Sequence, residues 1–172
     1  MKQSSRSRAR RDDPLWRVAC HEAGHAVIAA VLGILAPDTT ITIVPDGSVA
    51  GSVEFSPDTG EDAWKRWGVR YTRKAIVATY AGPAVSLKLD PGLDLFDENG
   101  WHDLDMVHAD MFCEWIGDPA LYEGDKKEIF ETRNSKKAVS LVELNWLCIA
   151  SVADELLKRR TMRGHEVKGM LK

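Results

Sequence analysis

Apolar residues recur along this chain in blocks of helical period, separated by short polar stretches punctuated by Pro and Gly. Pro14, directly after Asp13, a good N-cap, opens a segment rich in Ala, Val, Ile and Leu. It predicts a first helix running to about residue 35 and stopped by Pro37 and Asp38. Residues 40–44 then alternate polar and apolar, Pro45-Asp46-Gly47 reads as a turn, and residues 49–55 read as a returning strand. Across 61–89, Trp64, Trp67, Tyr71, Ile76, Tyr80, Ala84 and Leu87 fall at helical intervals, predicting one long helix or two joined at Gly82-Pro83. Residues 90–101 have no period and read as a long loop. Helical spacing resumes over 102–116 (Leu104, Val107, Met111, Trp115), and over 135–158 a stripe at 139, 142, 146, 149, 153 and 156 predicts a core-facing helix. The fold class is therefore mainly α with a small β-hairpin or sheet (α+β). Residues 14–172 read as a single domain behind a flexible arm, residues 1–13.

Composition narrows the setting. With 172 residues, 44% of them hydrophobic, the chain can bury a core, which excludes a disordered polymer. The net charge of -3 offers no general attraction to nucleic acid or membrane, but it is unevenly placed. Residues 1–11 hold five cations and no acid, leaving 18 cations against 26 acids in the rest. The basic arm is thus the sole candidate for contact with nucleic acid or an acidic partner, and a short charged terminus is most often solvated tail. Asp12, Asp13, Arg17, His21 and Glu22 interrupt any signal-peptide pattern. The longest apolar run, 26–36, has 11 residues, against the roughly 18 to 20 a membrane span needs. Cys20, Cys113 and Cys148 form no Cys-x-x-Cys pair, so reduced thiols and a cytoplasmic location are expected.

The chemistry is concentrated in His21-Glu22-Ala23-Gly24-His25, inside the first helix. Two histidines four residues apart leave the same helix face one turn apart and can grip one ion. Neutral imidazoles suit zinc, and Glu22, about 100° around the helix from His21, can reach a metal-bound water as general base. The bland alternative is a pair of packed core histidines beside a solvated glutamate. A catalytic zinc takes a third protein ligand, and the next rich cluster is His102-Asp103-Leu104-Asp105, with His108 and Asp110 beyond. Asp103 is an acid near the start of an amphipathic helix after a loop, where it can face inward or simply cap that helix.

These segments, taken in order, resemble the peptidase domain of FtsH, the membrane-bound AAA-type zinc metalloprotease. The zinc helix of that family is similar to His21-Glu22-Ala23-Gly24-His25-Ala26-Val27, and its strand pair to Thr42-Ile43-Val44-Pro45-Asp46-Gly47 and Gly51-Ser52-Val53-Glu54-Phe55. Its A-G-R-A-A-E helix is similar to Ala81-Gly82-Pro83-Ala84-Val85-Ser86, with Pro83 and Ser86 standing where the family has Arg and Glu. Its N-D-I-E-R-A helix and following T-E-W-G are similar to His102-Asp103-Leu104-Asp105-Met106-Val107 and Cys113-Glu114-Trp115-Ile116-Gly117. The closing pattern resembles Leu156-Leu157, Thr161-Met162 and Gly164-His165-Glu166-Val167.

The resemblance implies a zincin-like helical metallopeptidase domain with His21, His25 and Asp103 as zinc ligands and Glu22 as catalytic base. His108 or Asp105 would be next in line as third ligand, and His102 a partner behind the ligands. In zinc peptidases of this kind substrate can add as an extended strand, and the candidate edge is residues 49–55, with Val49, Ala50, Gly51, Ser52 and Val53 as the contacts and Gly51 permitting close backbone approach. The alternative is a plain hairpin whose Gly51 relieves twist or marks a bulge. No G-x-x-x-x-G-K-[ST] phosphate loop occurs in the chain. The expectation is accordingly a stand-alone, ATP-independent zinc endopeptidase acting on peptides or unstructured proteins, or on chains handed over by a separate unfoldase, with a homo-oligomer compatible. The competing expectation is a non-catalytic zinc-binding regulatory or interaction module on the same fold. Glu22 weighs against it, because a structural site needs no base. Trp64 and Trp67 read as core, and Cys20 as packed rather than coordinating.

Overall fold

The computed structural model describes residues 13–47, 50–53, 63–93 and 125–171. The basic arm up to residue 12, the predicted helix over 102–116 and the return strand's Val49 lie outside the described residues.

Helix α1, Pro14–Val31, begins as its sequence dictates: Pro14 occupies the first turn, and the Asp13 carboxylate accepts the Leu15 N–H at 3.0 Å. It ends about four residues before the predicted stop. Gly33 takes the left-handed backbone conformation (φ 73°). The N–H groups of Gly33 and Ile34 turn back to the carbonyls of Ala30 and Ala29, which satisfies the last turn and stops the helix before Pro37.

Strand β1, Thr40–Thr42, pairs antiparallel on one side with β2, Ser52–Val53, as the predicted hairpin requires. On its other side it pairs with β3, Thr161–Arg163, giving a three-stranded sheet of order β2-β1-β3. The register sets Ile41 opposite both Val53 and Met162. Three residues at the C-terminal end carry too little period to predict a strand; the pairing comes from tertiary placement.

The stretch expected as one or two helices is two. Helix α2, Ala63–Thr79, and helix α3, Ala81–Leu89, meet at Tyr80. Pro83 falls within the first turn of α3, where its missing N–H is tolerated. The stripe expected in one helix over 135–158 is likewise divided, into α4, Asp125–Leu144, and α5, Trp146–Arg159. The Asn145 side chain donates to the Leu141 carbonyl at 2.8 Å at this break. The break also splits the stripe's burial: Val142, Ile149, Ala153 and Leu156 are buried, Trp146 is half-buried and Val139 is exposed. A short α6, Gly164–Met170, closes the chain.

Helix α1 is the centre of the core, with Ala19, Cys20, Ala23, Ala26, Val27 and Ile28 fully buried. Cys20 is thus packed, as expected. The α1–α3 approach is close because Gly24 has no side chain: a Cβ there would fall 2.8 Å from Val85 Cγ2 and 3.1 Å from the Ala81 carbonyl oxygen. The start of α1 is braced to the end of α3 by Arg17 and Asp90 at 2.7 Å. The Arg17 hydrogen bond holds the Asp90 carboxyl below its usual range. This exposed clamp is complete above the ordinary carboxylate range and is lost as pH falls through the depressed value. The side chains of Trp64 and Trp67 lie outside the described residues, and no described helix is long and apolar enough to cross a membrane.

Candidate metal centre

His21, Glu22 and His25 occupy the middle of α1, where the surrounding Ala and Gly residues let α2, α3 and the sheet close in on them. His25 is buried, and its Nδ1–H donates to the Ala78 carbonyl at 2.9 Å. Ala78 lies in the last turn of α2, where helix geometry leaves carbonyls for outside donors. Since a carbonyl only accepts, this bond fixes the proton of a neutral His25 on Nδ1 and leaves Nε2 as a lone pair. His21 is half-buried, with Nδ1 3.0 Å from Ser86 Oγ on α3. The two Nε2 atoms lie 3.1 Å apart, the rings meeting edge to face.

Two observations bear on whether a metal fits. With zinc–nitrogen bonds of about 2.0–2.1 Å, tetrahedral ligands stand roughly 3.3 Å apart, close to the observed spacing. The second is Gly82. A Cβ there would lie 2.6 Å from His21 Nε2 and closer still to His25 Nε2. The same point would lie 2.6 Å from His25 Cε1, off the Nε2 lone-pair axis, so the missing side chain at residue 82 is what lets α3 close over the two imidazoles. Both rings are also held from behind at Nδ1, the usual support of a metal-ligating imidazole. The donor set and the spacing of the two nitrogens suit a zinc ion.

Glu22 is 7% exposed, so it is not the solvated glutamate of the bland alternative. Its carboxylate is packed beneath the segment leading into β2: a Cβ on Gly51 would meet Glu22 Cγ at 2.7 Å and Oε1 at 2.8 Å. Gly51 lies just before the two-residue β2 rather than in the middle of a longer strand. Ala50 and Gly51 are half-buried, Ser52 is exposed opposite Thr42, and Val53 is opposite Ile41 on the outer strand of the sheet. Gly51→Ala is expected to push the Glu22 carboxylate aside. Overpacking of this kind costs about 1–3 kcal/mol of stability, which thermal melting of the variant measures.

Among the described residues no three His, Cys, Asp or Glu side chains gather into a metal-holding group. Asp103 lies outside them, as do Asp105, His102 and His108. What sequence reasoning missed is the far wall: Gly82, Ser86 and the Ala78 carbonyl. The first two sit in the segment matched to A-G-R-A-A-E, but no period or spacing indicates that it packs over the histidine pair.

No family model matches the chain. It is 24% identical over 185 residues to an ATP-dependent zinc metalloprotease FtsH of Acidimicrobium ferrooxidans. That similarity takes in 91% of this chain but only 28% of the relative, so the chain spans little more than a quarter of the protein it matches. Similarity over nearly the whole chain, at this low identity, points to a distant relationship with FtsH.

Proposed function

We propose that this chain is a zinc-dependent metallopeptidase domain of the FtsH kind, hydrolysing peptide bonds in flexible polypeptides. The observation that carries the reading is the approach of two imidazole Nε2 atoms to 3.1 Å beneath the bare Gly82 backbone. His21 and His25 hold the metal, with Asp103 as the third ligand. Zinc, when bound, supplies the Lewis acidity that polarises the scissile carbonyl and acidifies water.

The chain's own residues do the rest. Glu22, held under the Gly51 backbone, accepts a proton from water as the water oxygen bonds to the scissile carbon. It then returns that proton to the departing amine as the C–N bond breaks. The segment from Val49 through Ala50, Gly51 and Ser52 to Val53 takes the substrate as an added strand. Main-chain hydrogen bonds there align the peptide whatever its side chains, and Gly51 brings that alignment directly over the base. The substrates are unfolded segments, small peptides or chains delivered by an unfoldase, in the cytoplasm.

Metal analysis of the purified protein tests the ligand set. Wild type should carry about one zinc per chain, and Asp103→Asn should lower zinc affinity strongly, since it removes one of three ligands. Full zinc occupancy in Asp103→Asn would transfer the role to Asp105 or His108. Zinc-loaded wild type that cleaves no member of an unstructured-peptide library would favour the non-catalytic zinc module instead.

A further inference from the structure

Three ties join α1 to the helices that face it, and they lie in order along one side of it. His25 meets the Ala78 carbonyl, His21 meets Ser86, and Arg17 donates from Nη2 to Asp90 Oδ2 at 2.7 Å. Residues 17, 21 and 25 follow one another at one-turn intervals on α1, as do Ser86 and the C-cap Asp90 on α3. Exposure rises along the same line: His25 is buried, His21 is half-buried, and the Arg17 side chain is 41% exposed. Among the described residues, the cleft between α1 and α3 therefore opens to solvent at the Arg17 end, about 6 Å along the helix from His21.

An exposed ion pair stabilises a fold little, and Arg17 commits to this one a single N–H of the five its guanidinium carries. Asp90 is committed more fully. Its Oδ2 accepts from Arg17 and its Oδ1 accepts the Gly92 N–H at 3.3 Å. The anchored carboxylate thus steadies a planar guanidinium at the mouth of the cleft, and the rest of the fork can take a second acceptor. Paired N–H groups in one plane are the geometry in which arginine receives a carboxylate.

We propose that Arg17 is a specificity-determining residue at this mouth, pairing with a carboxylate carried by the substrate, and that Asp90 is the positioning residue that holds it there. An extended peptide advances about 3.3 Å per residue, so the carboxylate belongs about two residues from the scissile bond. It is an Asp or Glu side chain at that place, or the peptide's own C-terminus. The proposal deepens the peptidase reading above and rests on it for the place of the scissile bond.

Binding and cleavage are measured separately. Fluorescence anisotropy on zinc-free protein, and cleavage by zinc-loaded protein, compare unstructured peptides carrying Glu at successive positions with their Gln counterparts, and a free with an amidated C-terminus. Wild type should favour the carboxylate form of one such pair by about tenfold at low salt, the size of a charge-assisted hydrogen bond discounted for exposure. The preference should shrink as salt is added, and the pair that responds tells side chain from chain end. Arg17→Gln should abolish the preference. Asp90→Asn breaks the same ion pair but keeps the cation and removes a competing acid, so it should retain the preference. Equal loss in both variants would make the pair a brace and overturn the proposal. Wild type that cleaves peptides with no preference in any pair also overturns it, and leaves the peptidase reading standing. A preference in binding without any cleavage would keep Arg17 as a carboxylate-binding residue and overturn the peptidase reading instead. The wild-type comparison needs no substitution, so the proposal is decided even if a variant fails to fold.

Discussion

Gly82→Ala is expected to strip the protein of zinc while leaving its fold in place. The added methyl would sit 2.6 Å from His21 Nε2 and from His25 Cε1, and nearer to His25 Nε2, overlapping both rings. Either the rings must rotate away from one another or α3 must retreat, and each movement disturbs the placement of the two Nε2 atoms. Overpacking of this kind costs about 1–3 kcal/mol, and because the displaced groups are the ligands themselves, zinc affinity should fall by about 100-fold or more. Gly24→Ala provides the control. Its methyl would press on Val85 Cγ2 and the Ala81 carbonyl, at the same α1–α3 contact but away from the imidazole nitrogens. Thermal melting should show both variants destabilised, whereas chelator competition should show the larger zinc loss in Gly82→Ala. Equal zinc affinity in Gly82→Ala and wild type would mean that the ion does not sit between these two rings.

Glu22→Gln separates chemistry from metal binding more sharply. The amide keeps the length and shape of the buried carboxylate, so the packing beneath Gly51 and the zinc content should be nearly unchanged. It cannot accept a proton from water, and general-base catalysis is worth about 10²- to 10⁴-fold. Cleavage of an unstructured peptide should therefore fall by at least that range, in kcat more than in KM. Wild-type turnover in this variant would remove Glu22 from the mechanism and turn attention to another base, whatever the metal content.

Much of the local structure was legible in the chain because it depends on neighbours in sequence. Asp13 and Pro14 favour a helix start because the carboxylate caps a free N–H and proline fits the first turn, and the His21/His25 spacing puts two rings on one face by helix geometry alone. The pairing of Thr40–Thr42 with Ser52–Val53 likewise follows from an alternating segment, a turn and a return. Other features had no local signature. Thr161–Arg163 is a strand because the turn after α5 carries it to the free side of β1, where Ile43 N–H donates to the Arg160 carbonyl. The stripe from Val139 to Leu156 looks continuous in sequence, yet the break at Asn145 turns Val139 outward and Ile149 inward. The site shows the same division. Its ligands are named by a five-residue motif within one helix. The close approach of Gly82 to the two rings, the tie from Ser86 to His21, the tie from His25 to Ala78 and the backbone over Glu22 join residues 29 to 65 positions apart, and only packing brings such residues together. A helix's sequence determines which side chains share a face; what stands opposite that face depends on how every other element buries its apolar surface, and that is decided in three dimensions.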